Sequence, residues 1–341
     1  MAVRGVFGGS VGDTGTSSYV DRVRRSGGPA RGWRRLLARD PGEADLARRR
    51  FRLGPGPAQA AFETAERAYV SGFNAALTGG PDAIDAIDAM PPERQPFAYE
   101  GTGAACTVLD LLTLARGRRL RELLDGPAGR HSHAVHLGAG RGYALLRLRP
   151  VRGAGRAHPL LRWLAVDGYG FQRSLDGTDR MVGERTMPDL LTRAHCATFD
   201  QGLGRLLWYH DGACPDGVAA AIAGYPAGRR ADLWSGVGFA ATHTGGAEPD
   251  ELARLAEHAG AEGFRAHLAQ GCAFAAAARV QAGPLPGQVA RAVPVLAGAT
   301  ADEAASWADR ALLALGHDPH THDDFLTWQA DTRRSWSRRG R

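Results

Sequence analysis

Five side chains stand where acid–base chemistry could be done: Glu100, Asp167, Asp200, His136 and His267. Glu100 sits in Phe97-Ala98-Tyr99-Glu100-Gly101, among aromatic and small residues, a setting that raises a carboxyl pKa on burial. Asp167, in Asp167-Gly168-Tyr169-Gly170-Phe171, and Asp200, in Phe199-Asp200-Gln201-Gly202, read as acid–base groups or as turn formers and caps. His136 opens His136-Leu137-Gly138-Ala139-Gly140 and His267 opens His267-Leu268-Ala269-Gln270-Gly271. An imidazole gives or takes a proton near neutral pH. Each has a plainer alternative: a glutamate paired with an arginine such as Arg94, an aspartate that caps a helix, a buried histidine that fixes a helix end.

Other chemistries fail on spacing. Gly138-Ala139-Gly140-Arg141-Gly142 lacks the glycine spacing and following acid of a dinucleotide fold. The chain has no lysine, so it has no Walker lysine. Ser235 lies in Trp234-Ser235-Gly236, outside the G-x-S-x-G of a nucleophile elbow, and nothing positions a triad of Ser235, His267 and Asp232. His317, His320 and His322 with Asp318, Asp323 and Asp324 come nearest to a metal cluster. Gly316 and Pro319 make that stretch a linker between two helices, with aspartate as the N-cap. No cofactor and no metal is evident.

The elements that must position these groups are mostly helices. Apolar spacing predicts helices over 59–77, 189–209, 230–242, 249–259, 263–281 and 301–315, and an apolar helix face at Val108–Leu114. Val135–Leu148 is strand or helix by periodicity, and segments around Trp163–Val166 leave room for a minor sheet. The expected fold is mainly α with minor β. Residues 1–31 read as a disordered basic tail, 32–57 as an N-terminal arm packed by Trp33, Leu36 and Phe51, and 331–341 as a basic C-terminal tail.

Between them the chain repeats itself. Gly101 and Gly103 fall on Gly236 and Gly238 at an offset of 135, which pairs Glu100 with Ser235. His136 falls on His267 at 131, and Ser71-Gly72 on Gln201-Gly202 at 130. Three ordered blocks predict an internal duplication, with halves 58–182 and 183–330 facing each other about a pseudo-twofold. Small residues between such halves would line a slot for a flat or rod-shaped apolar ligand.

The 341 residues, 44% hydrophobic and 23% charged, suit a folded protein. The net charge of +6 is uneven: residues 1–57 carry 12 Arg against 5 acids, 331–341 carry 5 against 1, and the body carries 25 against 30. A mildly acidic body argues against nucleic acid and leaves membrane contact to the basic ends. No apolar run reaches the length of a membrane span, and the N-terminus lacks a secretory core. Four scattered cysteines without a CxxC pair point to a reducing, cytoplasmic setting.

The segments Trp33–Phe51, Phe97–Gly101, WLAVDGYGF (163–171), FDQGLGRLLW (199–208), RRADLWSGVG (229–238) and HLAQGCAFA (267–275) occur in this order. Together they resemble the enediyne biosynthesis protein family encoded beside enediyne polyketide synthases, over about residues 32–330. The resemblance implies a place in a pathway and no defined reaction: a soluble accessory protein acting on, or sheltering, a linear conjugated polyene or polyyne. Expected partners are that molecule, other proteins of the pathway and a second copy of the chain. Where these motifs meet the repeat, the expected substrate-binding residues are Arg94, Tyr99, Tyr169, Gln201, Arg230, Asp232, Trp234, Ser235 and Gln270.

Overall fold

The structure is a computed structural model that describes residues 32–78, 82–150, 158–316 and 318–339. The regular elements among these residues are all helical. In chain order the α-helices are α1 (Pro57–Thr78), α2 (Asp82–Asp88), α3 (Gln95–Leu112), α4 (Arg118–Leu124) and α5 (Ser132–Leu145). Next come α6 (Leu164–Asp176), α7 (Cys196–His210), α8 (Pro215–Ala223), α9 (Ala227–His243) and α10 (Pro249–Ala261). The last four are α11 (Arg265–Ala282), α12 (Gly287–Leu296), α13 (Ala301–Ala314) and α14 (His322–Arg338).

The mainly α expectation holds, while both segments considered for strands are helical. Residues 135–145 belong to α5, and Trp163 ends a short turn of 3₁₀-helix that runs into α6. A helix buried all round shows no polar face, so its apolar run cannot be told from a strand by period alone. Most of α5 and α6 is buried in this way.

Seven helices form the interior. α1, α3, α5, α6, α7, α9 and α11 each pack on the next, and the shorter helices and α14 lie against them. The crossings rest on glycine. A Cβ on Gly138 would stand 1.9 Å from the Glu100 carbonyl oxygen, and one on Gly103 would stand 2.5 Å from that of Val135. Neither position admits a side chain, so the two backbones touch and Cα–H groups point at carbonyls. Because 138 meets 100 while 135 meets 103, the two helices run antiparallel at the crossing.

The same paired contact recurs at every interior crossing. The first glycines (101, 138, 168, 202, 236 and 271) each meet the preceding helix, and glycines 72, 103, 140, 170, 204 and 238 meet the following one. Successive first glycines lie 30 to 37 residues apart. Four such steps give the long offset seen in the sequence, so the recurrence is finer than a division into two halves. Contacts also correct two registers: Gly72 corresponds to Gly204, and Gly138 to Gly271. His136 therefore matches Ala269 and His267 matches Ala134, which removes their pairing. Glu100 and Ser235 each stand just before a glycine that meets the preceding helix.

At the ends, the expected tail 1–31 lies outside the described residues. The arm is three 3₁₀ turns, and it packs by Leu46 and Phe51 while Trp33 and Leu36 stay exposed. The expected C-terminal tail is instead the end of α14. Its Arg333 donates to Gln270, and Arg339 donates to the Ala297 carbonyl at 2.8 Å. Thr321 and Asp324 cap the start of α14 reciprocally, where an aspartate N-cap was expected.

Candidate functional site

Each interior crossing fixes which side chains point inward. The residue before a first glycine and the residue three after it are four apart, so they share a helix face. The first position holds Glu100, Leu137, Asp167, Gln201, Ser235 and Gln270 along the chain. The second holds Arg141, Phe171, Arg205, Phe239 and Phe274 from α5 onward.

These residues meet in a buried charge network. Arg141 donates to Glu66 at 2.7 and 3.1 Å, to Glu100 at 3.3 Å and to Gln172 at 2.8 Å. Arg205 donates to Asp167 at 2.8 Å and lies 3.7 Å from Glu100. Aromatic rings sandwich the guanidinium groups: Tyr69 and Phe171 beside Arg141, Phe171 and Phe239 beside Arg205. Two guanidinium groups thus touch three carboxylates. Burial would raise the Glu66 pKa, but the Arg141 charge outweighs it and holds the group low. At Asp167 burial wins over Arg205, with Glu100 adding to it, and the pKa is raised.

Asp167 is also where this network reaches a cavity of about 20 Å³. His133, Gln201, Ser235 and Gln329 supply its other polar side chains. Leu137, Leu164, Phe239, Phe274, Phe325 and Trp328 make it apolar elsewhere. The last two rings and Gln329 belong to α14, which crosses this side of the interior. Gln201 and Gln329 exchange hydrogen bonds at 2.9 and 3.0 Å, and Gln270 donates to the Ser235 hydroxyl at 3.0 Å. As packed, the space suits about one water molecule. A linear polyene does not fit this cavity as packed.

The remaining candidates are dispersed. Glu100 is held within the charge network, and Asp200 forms a two-point pair with Arg229 at 2.6 and 2.9 Å. Burial nevertheless raises the Asp200 pKa. His136 donates Nδ1–H to the Ser132 carbonyl at 2.6 Å, the helix-fixing role, and burial lowers its pKa to about 3. His267 stands edge-on to Phe264, its pKa lowered to about 4 by burial. Gln201 donates to Asp232 at 3.0 Å, and burial pushes Asp232 up to about 6. Tyr99 donates to Asp88 at 2.7 Å, and Arg230 caps the carbonyls of Tyr225 and Ala223. Tyr169 and Trp234 are buried with no hydrogen bond to hydroxyl or indole N–H. Arg94 is exposed at the start of α3.

Sequence reasoning missed Glu66, Arg141 and Arg205. A signal for the arginines was present in the matching runs Gly138-Ala139-Gly140-Arg141 and Gly202-Leu203-Gly204-Arg205. His317 lies outside the described residues; among those described, no group of three His, Cys, Asp or Glu side chains is placed to hold a metal ion. Among them, too, no helix is long and apolar enough to cross a membrane.

A family model described as "Protein of unknown function (DUF1702)" matches residues 30–335, and the chain belongs to that family. No curated protein and no solved structure matches the chain. The resemblance to enediyne biosynthesis proteins is corrected accordingly: the match covers the same stretch, and nothing in it ties the chain to that pathway. The polyene and the pathway proteins expected as partners rested on that resemblance.

Proposed function

We propose that this protein binds a small, mostly apolar molecule in the cavity beside Asp167 and exchanges a proton with one polar group on it. The observation that carries the reading is the position of Asp167. It is the one acid–base candidate that lines the cavity, it is anchored through one oxygen by Arg205, and burial favours its protonated form. A protonated carboxyl in an apolar setting donates a hydrogen bond and can pass its proton to a bound acceptor. The Ser235 hydroxyl, which accepts from Gln270 and keeps its own proton to donate, would orient that acceptor, while the aromatic walls exclude water. A guest larger than water must displace rings on α14, so entry is coupled to movement of that helix. Four unpaired thiols, Cys106, Cys196, Cys214 and Cys272, support a reducing, cytoplasmic location.

The test is a titration with 1-butanol followed by tryptophan fluorescence. Trp328 lines the cavity, so saturable quenching is expected, and Trp328→Phe should remove most of it. An unsaturable response, or full quenching in Trp328→Phe, would place the alcohol elsewhere and refute the reading. Asp167→Asn should keep binding within about threefold, since the amide retains the size and a donor, while proton exchange with the guest is lost.

A further inference from the structure

A second cavity of about 10 Å³ adjoins the first, with His133, Leu137 and Phe239 common to both linings. Its own lining adds His131 and His243, and it borders Ala278, the neighbour of Arg279 on α11. Arg279 is 1% exposed and has no carboxylate within ion-pair distance among the described residues. Its terminal nitrogens donate to the carbonyls of Glu93 and His243 at 3.0 and 2.7 Å, and its Nε–H is buried with no acceptor. A buried guanidinium held by carbonyls, with Glu93 acting on it only at a distance, keeps a charge that is costly to bury.

The histidines repeat the imbalance. Arg130 donates to His131 Nε2 at 3.2 Å, so the proton of the neutral ring is on Nδ1, and that N–H is buried without an acceptor. His243 also has a buried, unpartnered Nδ1, and its ring stacks on Phe97, which Arg279 covers at 5.1 Å. Burial, and then the Arg279 charge, hold His243 well below its ordinary pKa. Burial brings Arg279 itself down to about 9. Two of these mismatches have one sign: the Arg279 Nε–H and the His131 Nδ1–H are buried donors without acceptors, beside an excess of positive charge.

We propose that His131, His243 and Arg279 form a binding site for a monovalent anion, and that the anion is the carboxylate of the guest whose apolar part occupies the cavity beside Asp167. This identification of the ligand as a small apolar carboxylic acid rests on the function proposed above; the anion site itself does not. The shared wall formed by His133, Leu137 and Phe239 separates head from tail by one layer of side chains, which a swing of the Phe239 ring would open.

Two measurements test it. Crystals soaked in sodium bromide should show an anomalous peak bounded by His131 and His243, and Arg279→Met should abolish it while Arg279→Lys retains it. In solution, butyrate should bind the parent protein at least tenfold more tightly than 1-butanol, with bromide competing against butyrate alone. A bromide peak without a preference for butyrate would refute the carboxylate assignment and leave a halide site. Absence of both would refute the anion site, and because the bromide result needs no variant, misfolding of Arg279→Met cannot obscure it. Failure of 1-butanol to bind while bromide does would instead count against the proposed cavity function.

Discussion

The glycine crossings make one substitution act with opposite signs at two places. In Gly271→Ala the new Cβ would lie 1.8 Å from the Ser235 carbonyl oxygen and 2.7 Å from the Phe239 nitrogen. Both are backbone atoms, so no rotamer change relieves the clash. Reaching the 3.4 Å of ordinary contact requires α9 and α11 to part by about 1.6 Å. Overpacking costs about 1–3 kcal/mol where side chains can yield, and this site falls at the upper end. The same shift strains the 3.0 Å bond from Gln270 to Ser235, worth about 1 kcal/mol. The expected loss is therefore about 4 kcal/mol. Gly260 of α10 has ordinary helical backbone and nothing within 4 Å of its Cβ position. There alanine should stabilise by about 0.5–1 kcal/mol through helix propensity. Urea unfolding of the two variants reads both effects as shifts in midpoint at constant m. A Gly271→Ala variant within about 1 kcal/mol of the parent would refute the claim that these crossings exclude a side chain.

Arg205→Met should destabilise by about 3–5 kcal/mol, because Asp167 and Glu100 lose a shared partner inside the protein. Adding Asp167→Asn should recover part of that loss; a double variant no more stable than Arg205→Met in urea would show that the two do not interact as described. Acid should also destabilise the fold. His131, His133, His136, His267 and His322 have pKa values lowered to about 3–4, chiefly by burial, against about 6.5 unfolded. Their contribution is complete above pH 6.5 and is lost as pH falls towards 4. Asp232, raised to about 6, opposes them: its contribution is present below about pH 4 and lost as pH rises through 6. The urea midpoint should fall between pH 7 and pH 4.5, and fall further in Asp232→Asn. A flat profile in the parent would contradict the burial of these rings.

Helix content was legible in the sequence because amphipathic helices such as α10 and α13 keep a polar face that sets the period. It was lost in α5 and α6, where glycine and small residues let neighbouring backbones cover the whole surface. The spacing of the crossings was visible in the sequence only at four steps, since the chain between successive glycine pairs varies in length. That variability shifted two of the three registers and made His136 and His267 look equivalent. For the site, Asp167 was recognised by type and setting, whereas its anchor Arg205 was not. Partnership between residues 38 apart depends on the crossing, which sequence spacing alone does not specify.

The crossing geometry also explains why a cavity forms where it does. Where two backbones touch, no side chain lies between the helices, so the interior is filled from the positions flanking each glycine pair. On α3 to α7 those positions supply acids and arginines that satisfy one another: Glu100, Arg141, Asp167 and Arg205. On α9 and α11 they supply Ser235, Phe239, Gln270 and Phe274. Charge gives way to neutral groups between α7 and α9, where Phe239 stacks beside Arg205 on one side and borders the cavity on the other. Asp167 is the last acid before that boundary. It therefore has a guanidinium on one side and an apolar hollow on the other, the placement that raises its pKa. α14 covers the same boundary from outside, closing the hollow with Phe325, Trp328 and Gln329.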